Sequence, residues 1–300
     1  MTAIPIVDGL DTLAPRYDAF ILDLWGVVHD GVRPFPAVPA TLARLQAAGK
    51  RVVMLSNAPR RVASVVAKLD EMGIDRSVWD HVMSSGEATY EALRDRSDPF
   101  HAGLGPRLYH LGPERDVDVY AGLDFTVVDT PETADWVLCT GIDDADETVE
   151  DHRADLEAAR ARDLPLVCAN PDLIVVVGGH QSICAGMLAA VYEEMGGTVA
   201  WHGKPHASVY RRCFDLLDGI DRSRILAVGD SFRTDIAGAE RAGIDSLFVA
   251  GGIHAPELAG PDGPIDPSRL ERLAREAGHR PSAAIAALQW SKAMHPTPNP

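Results

Sequence analysis

Only four cysteines occur in 300 residues, Cys139, Cys168, Cys184 and Cys213, and none falls in a C-x-x-C pair. That scarcity argues against a disulfide framework and against a cysteine-rich zinc site. Two of the thiols sit in apolar, strand-like runs, so buried free thiols are the expectation. Positive charge is also short: 28 Lys and Arg face 44 Asp and Glu, for a net charge of −16. No Lys/Arg-rich run offsets it, and such a surface repels nucleic acid and anionic membranes. It repels anionic substrates at long range as well, so any site for them must rely on local cations and a metal. No basic-plus-apolar leader precedes the first apolar run, and no apolar stretch approaches the roughly 20 residues of a membrane span. These absences predict a soluble, cytoplasmic protein with neither a nucleic-acid nor a membrane partner.

What is present is ordinary for a globular chain: 46% hydrophobic and 24% charged residues over a length that suits two domains. Apolar, β-branched runs alternate with helical patterns. Ala19–Asp23 and Arg51–Leu55 read as strands, and Val38–Ala48 and Arg60–Met72 as helices closed by Gly49 and Gly73. The alternation resumes with helix His206–Leu217, strand Ile225–Val228, helix Thr234–Ala242 and strand Ser246–Val249. It predicts an α/β fold with a parallel, doubly wound sheet. Between the halves, after a loop-like Ser97–Gly105, lie strands Leu108–Leu111, Phe125–Val128, Trp136–Cys139 and Leu166–Ala169 with helices Glu114–Ala121 and Glu147–Ala161. This stretch, residues 102–195, reads as a separate α/β domain inserted into a core made of 1–101 and 196–300. The tail 295–300, His-Pro-Thr-Pro-Asn-Pro, is expected to be disordered.

Four short strings carry the chemistry. Asp23 ends Phe-Ile-Leu, where a carboxylate is fixed, partly desolvated and open to a ligand, as a nucleophile toward phosphorus must be. Ser56-Asn57 ends Val-Val-Met-Leu just before a helix, and a hydroxyl beside a helix N-terminus suits a phosphoryl oxygen. Lys204 stands between Gly203 and Pro205 at the start of another helix, a place for a cation that neutralises phosphate. Asp230 follows Ile-Leu-Ala-Val-Gly, and Asp235 opens the next helix. With Asp23, Asp230 supplies the oxygen ligands Mg²⁺ prefers, and Asp235 orders a metal water or Lys204. Taken singly, each string also reads as a solvated loop, a helix cap or a surface lysine; the weight lies in the set. His202 and His206 are four apart, but Pro205 between them argues against a shared metal-binding face.

The order and setting of these strings, with Ser-Asn-Ala-Pro-Arg-Arg, Ala-Asn-Pro-Asp (169–172), Gly-Lys-Pro-His and the middle insertion, resemble the class IIA branch of the haloacid dehalogenase superfamily. The resemblance covers nearly the whole chain. It implies a Rossmann-like core, an inserted α/β cap, Mg²⁺, and hydrolysis of a small phosphorylated metabolite through an aspartyl-phosphate. It implies Asp23, Lys204 and Ser56 as catalytic, Ser56, Asn57 and Lys204 as phosphate-binding, and Asp23, the Trp25 carbonyl, Asp230 and Asp235 around the metal. The cap reads the substrate in that family, which makes Asn170 and Asp172 candidates for contacts beyond the phosphate; as an Asn-Pro-Asp sequence they also read as a plain turn. Whether the chain forms a homodimer is left open.

One position departs from the pattern. Trp25 stands where the family's phosphatases carry a second aspartate, the residue that protonates the leaving oxygen and activates water. An indole does neither, although its backbone carbonyl still serves a metal. General acid–base catalysis contributes about 10²–10⁴-fold, so hydrolysis is expected to be slow or selective for good leaving groups, with His29 and Asp30 as candidate substitutes. The alternative is a catalytically weak member that binds a phosphometabolite or partner for regulation. A dehalogenase fits less well, since Lys204 and the aspartates suit metal and phosphate better than halide.

Overall fold

The computed structural model describes residues 3–177, 180–260 and 263–291, so the tail 295–300 lies outside the described residues. Its strands are β1 (Ile6–Val7), β2 (Ala19–Asp23), β3 (Arg51–Ser56), β4 (His81–Ser84), β5 (Arg107–Leu111), β6 (Thr126–Val128) and β7 (Trp136–Cys139). They continue with β8 (Leu166–Cys168), β9 (Ile174–Val177), β10 (His180–Ile183), β11 (Val199–Trp201), β12 (Ile225–Gly229), β13 (Asp245–Val249) and β14 (Ala283–Ile285). Packing separates two compact units, residues 1–54, 74–81 and 217–300 in one and 55–73 and 82–216 in the other.

The first unit is organised by a sheet of order β1-β14-β13-β12-β2-β3-β4. β12 pairs in parallel with β2, Leu226 opposite Phe20 and Val228 opposite Leu22, and with β13 on its other side. The Arg51 N–H donates to the Asp18 carbonyl (3.0 Å) and the Asp80 N–H to the Val52 carbonyl (2.8 Å), so β3 and β4 start alongside and run the same way. Every residue of β2 and β12 is buried, which matches their unbroken apolar sequences: a central parallel strand is covered on both faces and shows no polar alternation. From β2 the chain proceeds to β3 and β4; from β12 it proceeds the other way, to β13 and β14. The order therefore reverses between β2 and β12, and ligands of open parallel sheets bind outside the carboxyl ends of the strands at that point.

The helix expected over 234–242 begins differently. The Ile236 N–H reaches back five residues to the Ser231 carbonyl (3.1 Å), and Phe232–Ile236 forms a wide π turn before the α-helix Ala237–Ala242. Phe232 and Ile236 insert into an apolar cluster with Phe248, Leu258 and Leu270, which holds the wide turn in place. Single π turns of this kind concentrate at functional sites.

The second unit carries a parallel sheet of order β11-β8-β7-β5-β6 and the antiparallel hairpin β9–β10. Strand periodicity sorts its side chains: Val137, Cys139, Leu166 and Cys168 enter one apolar cluster, and Trp136, Leu138, Val167 and Ala169 the other. Both faces are thus covered. β11 pairs with β8, so this sheet continues to Trp201, past residue 195. The helix Val62–Glu71 packs in the same unit, where Arg60 meets Asp116 (3.1 Å) and the Ser64 hydroxyl donates to Asp118 (2.7 Å). The hairpin has no counterpart in the expectations from sequence, because Gly178-Gly179 and the apolar residues before it give no clean alternation. Nor was the short helix Pro99–Ala102 anticipated, within the segment read as a loop; the Asp98 carboxylate accepts from the Phe100 and His101 N–H groups and starts it. All four cysteines are buried and in no disulfide. Among the described residues no helix is long and apolar enough to cross a membrane.

His101 and His202 form a buried pair, Nε2 to Nε2 at 3.0 Å, with His101 Nδ1 2.6 Å from Asp98. In the neutral pair His101 donates from Nδ1 to the carboxylate and accepts from His202. Burial pushes the His202 imidazole down from 6.5 to about 3, so the folded protein keeps it neutral. An unfolded chain binds that proton once the pH falls below 6.5, so this histidine's contribution to stability is complete above 6.5 and is lost between there and about 3. His202→Gln should be less stable than wild type at pH 7.5, yet lose less stability between pH 6.5 and 4.5. Urea melts at the two pH values measure this; an equal acid loss in both proteins would contradict it.

Candidate active site

Asp23 is the last residue of β2 and Asp230 follows the last residue of β12, so parallel pairing sets the two carboxylates side by side at the reversal of strand order. The wide turn after β12 adds Asp235. Oxygens of Asp23, Asp230 and Asp235 all lie within 4.8 Å of one another, and the three residues are only 8%, 6% and 4% exposed. Like charges this close and this poorly hydrated repel strongly. A hard divalent cation relieves that repulsion, and an all-oxygen set suits Mg²⁺, Ca²⁺ or Mn²⁺ rather than a thiolate- or imidazole-seeking metal. The donor set therefore fits Mg²⁺.

The carboxylates are held by backbone. Asp230 accepts from the Ile253 N–H (2.7 Å), and Asp235 from the Ser231 N–H (3.1 Å). Space is made by missing side chains. A Cβ on Gly26 or on Gly252 would collide with the Asp230 carboxylate, and one on Gly229 with that of Asp235. Gly26 also has φ +82, a left-handed conformation that other residues adopt at a cost. Sequence reasoning missed Gly252 and Ile253. The Ala-Gly-Gly string after β13 was the available signal: glycines at the carboxyl end of a parallel strand.

Trp25 and its loop are tightly built. Its indole packs edge-on to the His29 ring (centroids 5.5 Å apart, 77° between planes) and against Gly31, where a Cβ would meet the indole carbons. The Gly26 N–H donates to the His29 carbonyl (2.9 Å). His29 is buried, and its Nδ1 accepts from the Gly31 N–H (3.0 Å), which puts the proton of the neutral ring on Nε2. Asp30 accepts from the Val32 and Arg33 N–H groups (2.9 and 2.8 Å). These bonds, that from Arg33 foremost, lower its carboxyl below the usual aspartate range. A carboxylate held ionised in this way is a poor proton donor.

The second unit holds the hydroxyl and the cation. Ser56 ends β3 and is buried; its Oγ accepts from the Ala58 N–H (3.1 Å), which leaves the hydroxyl hydrogen to donate elsewhere. Lys204 is 3% exposed, an unusual position for an ammonium and one that solubility does not explain. Its backbone is clamped by the Asn57 side chain: Asn57 Oδ1 accepts from the Lys204 N–H (2.8 Å), and Asn57 Nδ2 donates to the Lys204 carbonyl (3.2 Å). The same Nδ2 donates to Asp172 Oδ1 (2.8 Å). Gly203, at φ +103, is required here, since a Cβ would crowd Asn57 Oδ1 and the Ser85 hydroxyl. Asn57 thus spends its side-chain amide on Lys204 and Asp172. Asn170 Oδ1 accepts from the Asp172 N–H (3.0 Å), the bond of an Asx turn, and Asn170 Nδ2 has no partner among the described residues. The two histidines weighed as zinc ligands are otherwise engaged: His202 with His101, and His206 stacked on Trp201.

A family model for haloacid dehalogenase-like hydrolases matches residues 20–126, and a second, HAD-hydrolase-like, matches 201–277. A haloacid dehalogenase-like hydrolase from Brucella suis is 36% identical, with TM-score 0.81 over 94% of this chain and 99% of its own. The chain belongs to the haloacid dehalogenase-like hydrolase family, and the strings quoted above place it in that family's class IIA branch. The acid sugar phosphatase of Staphylococcus aureus is 25% identical over 249 residues, 81% of this chain and 90% of that protein. The p-nitrophenyl phosphatase of Archaeoglobus fulgidus shares the fold, at TM-score 0.69 over 91% of this chain and 97% of its own, with 21% identity.

The glycines make a test of the carboxylate site. Gly252→Ala should displace Asp230 or its loop and lower Mg²⁺ affinity by tenfold or more (about 1.4 kcal/mol), measured by titration calorimetry. Unchanged affinity in a folded variant would show that Asp230 is not constrained as described.

Proposed function

We propose that the protein is a Mg²⁺-dependent phosphatase acting on a small phosphorylated metabolite through an aspartyl-phosphate. The observation that carries this reading is the cluster of three buried carboxylates at the strand-order reversal. Family membership and the phosphatase names of the relatives support it. A carboxylate oxygen of Asp23 attacks phosphorus, the bond from phosphorus to the ester oxygen breaks, and that oxygen leaves with the electron pair. Water then attacks phosphorus, the bond to Asp23 breaks, and inorganic phosphate departs. Mg²⁺, held by Asp23, Asp230 and the Trp25 carbonyl with Asp235 beside them, would supply charge neutralisation for the phosphoryl group. Lys204 contributes a second positive charge, and the Ser56 hydroxyl and the Asn57 backbone N–H serve as donors to the phosphoryl oxygens. Substrate choice falls to the inserted α/β segment, where Asn170 and its turn lie. Four buried thiols in no disulfide accord with a cytoplasmic setting.

Mg²⁺ binding should need Asp230, because a divalent ion bound by two carboxylates and a carbonyl loses half of its anionic ligands in Asp230→Ala. Calorimetry should show affinity at least about 10²-fold weaker (about 2.7 kcal/mol); wild-type affinity would sink the assignment.

Trp25 shapes the activity. Departure of the leaving oxygen needs a proton only when that oxygen is basic. A nitrophenolate leaves unaided, whereas a sugar alkoxide does not. Wild type should therefore prefer aryl and acyl phosphates to alkyl phosphates by a wide margin. Trp25→Asp should narrow that margin, with a gain of up to about 10²-fold on alkyl phosphates. The indole fills the space over Gly31, so thermal stability is measured alongside. If a well-folded Trp25→Asp shows no gain while wild type already cleaves alkyl phosphates fast, another residue is the acid, and His29 is the one to change next. The same substitution favours one alternative, a member that binds a phosphometabolite for regulation and does not turn it over. Failure of wild type to cleave even p-nitrophenyl phosphate with Mg²⁺ would select that alternative.

A further inference from the structure

We infer that Asp172 is a positioning residue for Lys204, acting through Asn57, and does not read the substrate. The inference rests on the proposal that Lys204 neutralises the phosphoryl group, and it deepens that proposal. The path is short. Asp172 Oδ1 accepts from Asn57 Nδ2 at 2.8 Å; Asn57 then grips both polar groups of the Lys204 backbone, its Oδ1 taking the N–H at 2.8 Å and its Nδ2 reaching the carbonyl at 3.2 Å. A carboxamide can rotate by half a turn and exchange its oxygen and nitrogen. A carboxylate offers only lone pairs, so it accepts a bond from Nδ2 and repels Oδ1. Asp172 therefore selects the orientation of the Asn57 amide that Lys204 requires. The bond is charge-assisted, stronger than a neutral one.

The surroundings leave little slack. Asn170 Oδ1 accepts from the Asp172 N–H (3.0 Å), and the Cys168 thiol donates to the Asn170 carbonyl (3.3 Å), which fixes the turn that presents the carboxylate. A Cβ on Gly186 would strike the Pro171 and Asp172 carbonyls, and one on Gly203 would press on Asn57 Oδ1 and Pro171. Two backbone turns thus meet across the Asn57 amide with no room for a larger residue. Lys204 is nearly inaccessible to solvent, so its backbone position decides where its ammonium can go. Displacements of about 1 Å at a catalytic group cost on the order of 10²-fold. The sequence string Asn-Pro-Asp reads equally as a turn or as a substrate contact; the hydrogen bond to Asn57 distinguishes them.

The test is a double-mutant cycle on the full chain with Asp172→Ala, Asn57→Ala and the pair, and with Asp172→Asn as the conservative variant. Turnover of p-nitrophenyl phosphate and of an alkyl phosphate is measured with Mg²⁺. Asp172→Ala should lower kcat by about tenfold on both substrates with KM changed less than twofold, since an aligned cation acts after binding. Asp172→Asn, whose carboxamide oxygen still accepts from Asn57, should recover most of the loss. In the Asn57→Ala background, Asp172→Ala should have no further effect. A KM rise confined to the alkyl phosphate, with p-nitrophenyl phosphate untouched, would overturn the inference and return Asp172 to substrate reading. Additive losses in the cycle would overturn it as well. A readout free of turnover separates this from the proposed activity: hydrogen exchange of the Lys204 amide, which the Asn57 bond protects, should quicken in Asp172→Ala. If wild type cleaves no phosphate ester but that exchange quickens, the phosphatase reading fails and the positioning holds; unchanged exchange would refute the positioning by itself. Should Asn57→Ala fail to fold, the Asp172→Ala and Asp172→Asn kinetics together with exchange decide.

Discussion

Three carboxylates crowded into a buried site are an arrangement that folding alone disfavours. Charge repulsion and lost hydration both act against it, and in a low-dielectric setting each is large. Everything around Asp23, Asp230 and Asp235 serves to impose that arrangement. Two parallel strands with fully buried, apolar sequences bring the first two together through backbone pairing, which charge repulsion is too weak to undo. A π turn anchored by aromatic packing brings in the third. Glycines 26, 229 and 252 keep the approach open, and the N–H groups of Ser231 and Ile253 supply fixed donors. A site assembled against electrostatics in this way has the oxygen donors that a hard divalent cation prefers.

The second unit solves a related problem with the opposite charge. Lys204 is buried in a chain whose net charge is strongly negative. Its backbone is secured by a side-chain amide from a residue 147 positions earlier, and that amide in turn donates to Asp172. The arrangement is one of nested restraint, in which a buried lysine's backbone is held by a side-chain amide that is itself hydrogen-bonded. The family resemblance implies a phosphate-binding role for Asn57, and in the folded chain its side-chain amide bonds the Lys204 backbone and Asp172. The buried histidine pair at His101 and His202 is a third example of polar groups satisfied away from water, with Asp98 serving both as helix cap and as partner to a ring nitrogen.

Trp25 sits apart from these devices. Its indole closes the loop from Gly26 to Gly31 against His29, so the tryptophan is integrated into the local packing. Asp30, nearby in sequence, is consumed by turn hydrogen bonds that hold it ionised.

Much of the frame was legible in the residues themselves, because its signals are local. Apolar β-branched runs marked β2, β3, β12 and β13 to within a residue or so, and with them the strand ends at which Asp23, Ser56 and Asp230 stand. The π turn at 232–236, the hairpin at 174–183 and the extension of the smaller sheet to Trp201 were not legible, since each depends on packing or pairing with distant residues. The same holds for the partners of Asp230 and Lys204. Sequence alone determined which residue types stand at strand ends, and hence the α/β class and the chemistry on offer. Tertiary structure alone decided that three carboxylates share one small volume, that Gly252 and Ile253 frame one of them, and that Asp172 turns toward Asn57. The physical reason is that strand ends are specified by neighbours in the chain, whereas distances between side chains are specified by register and close packing, which the linear pattern does not encode.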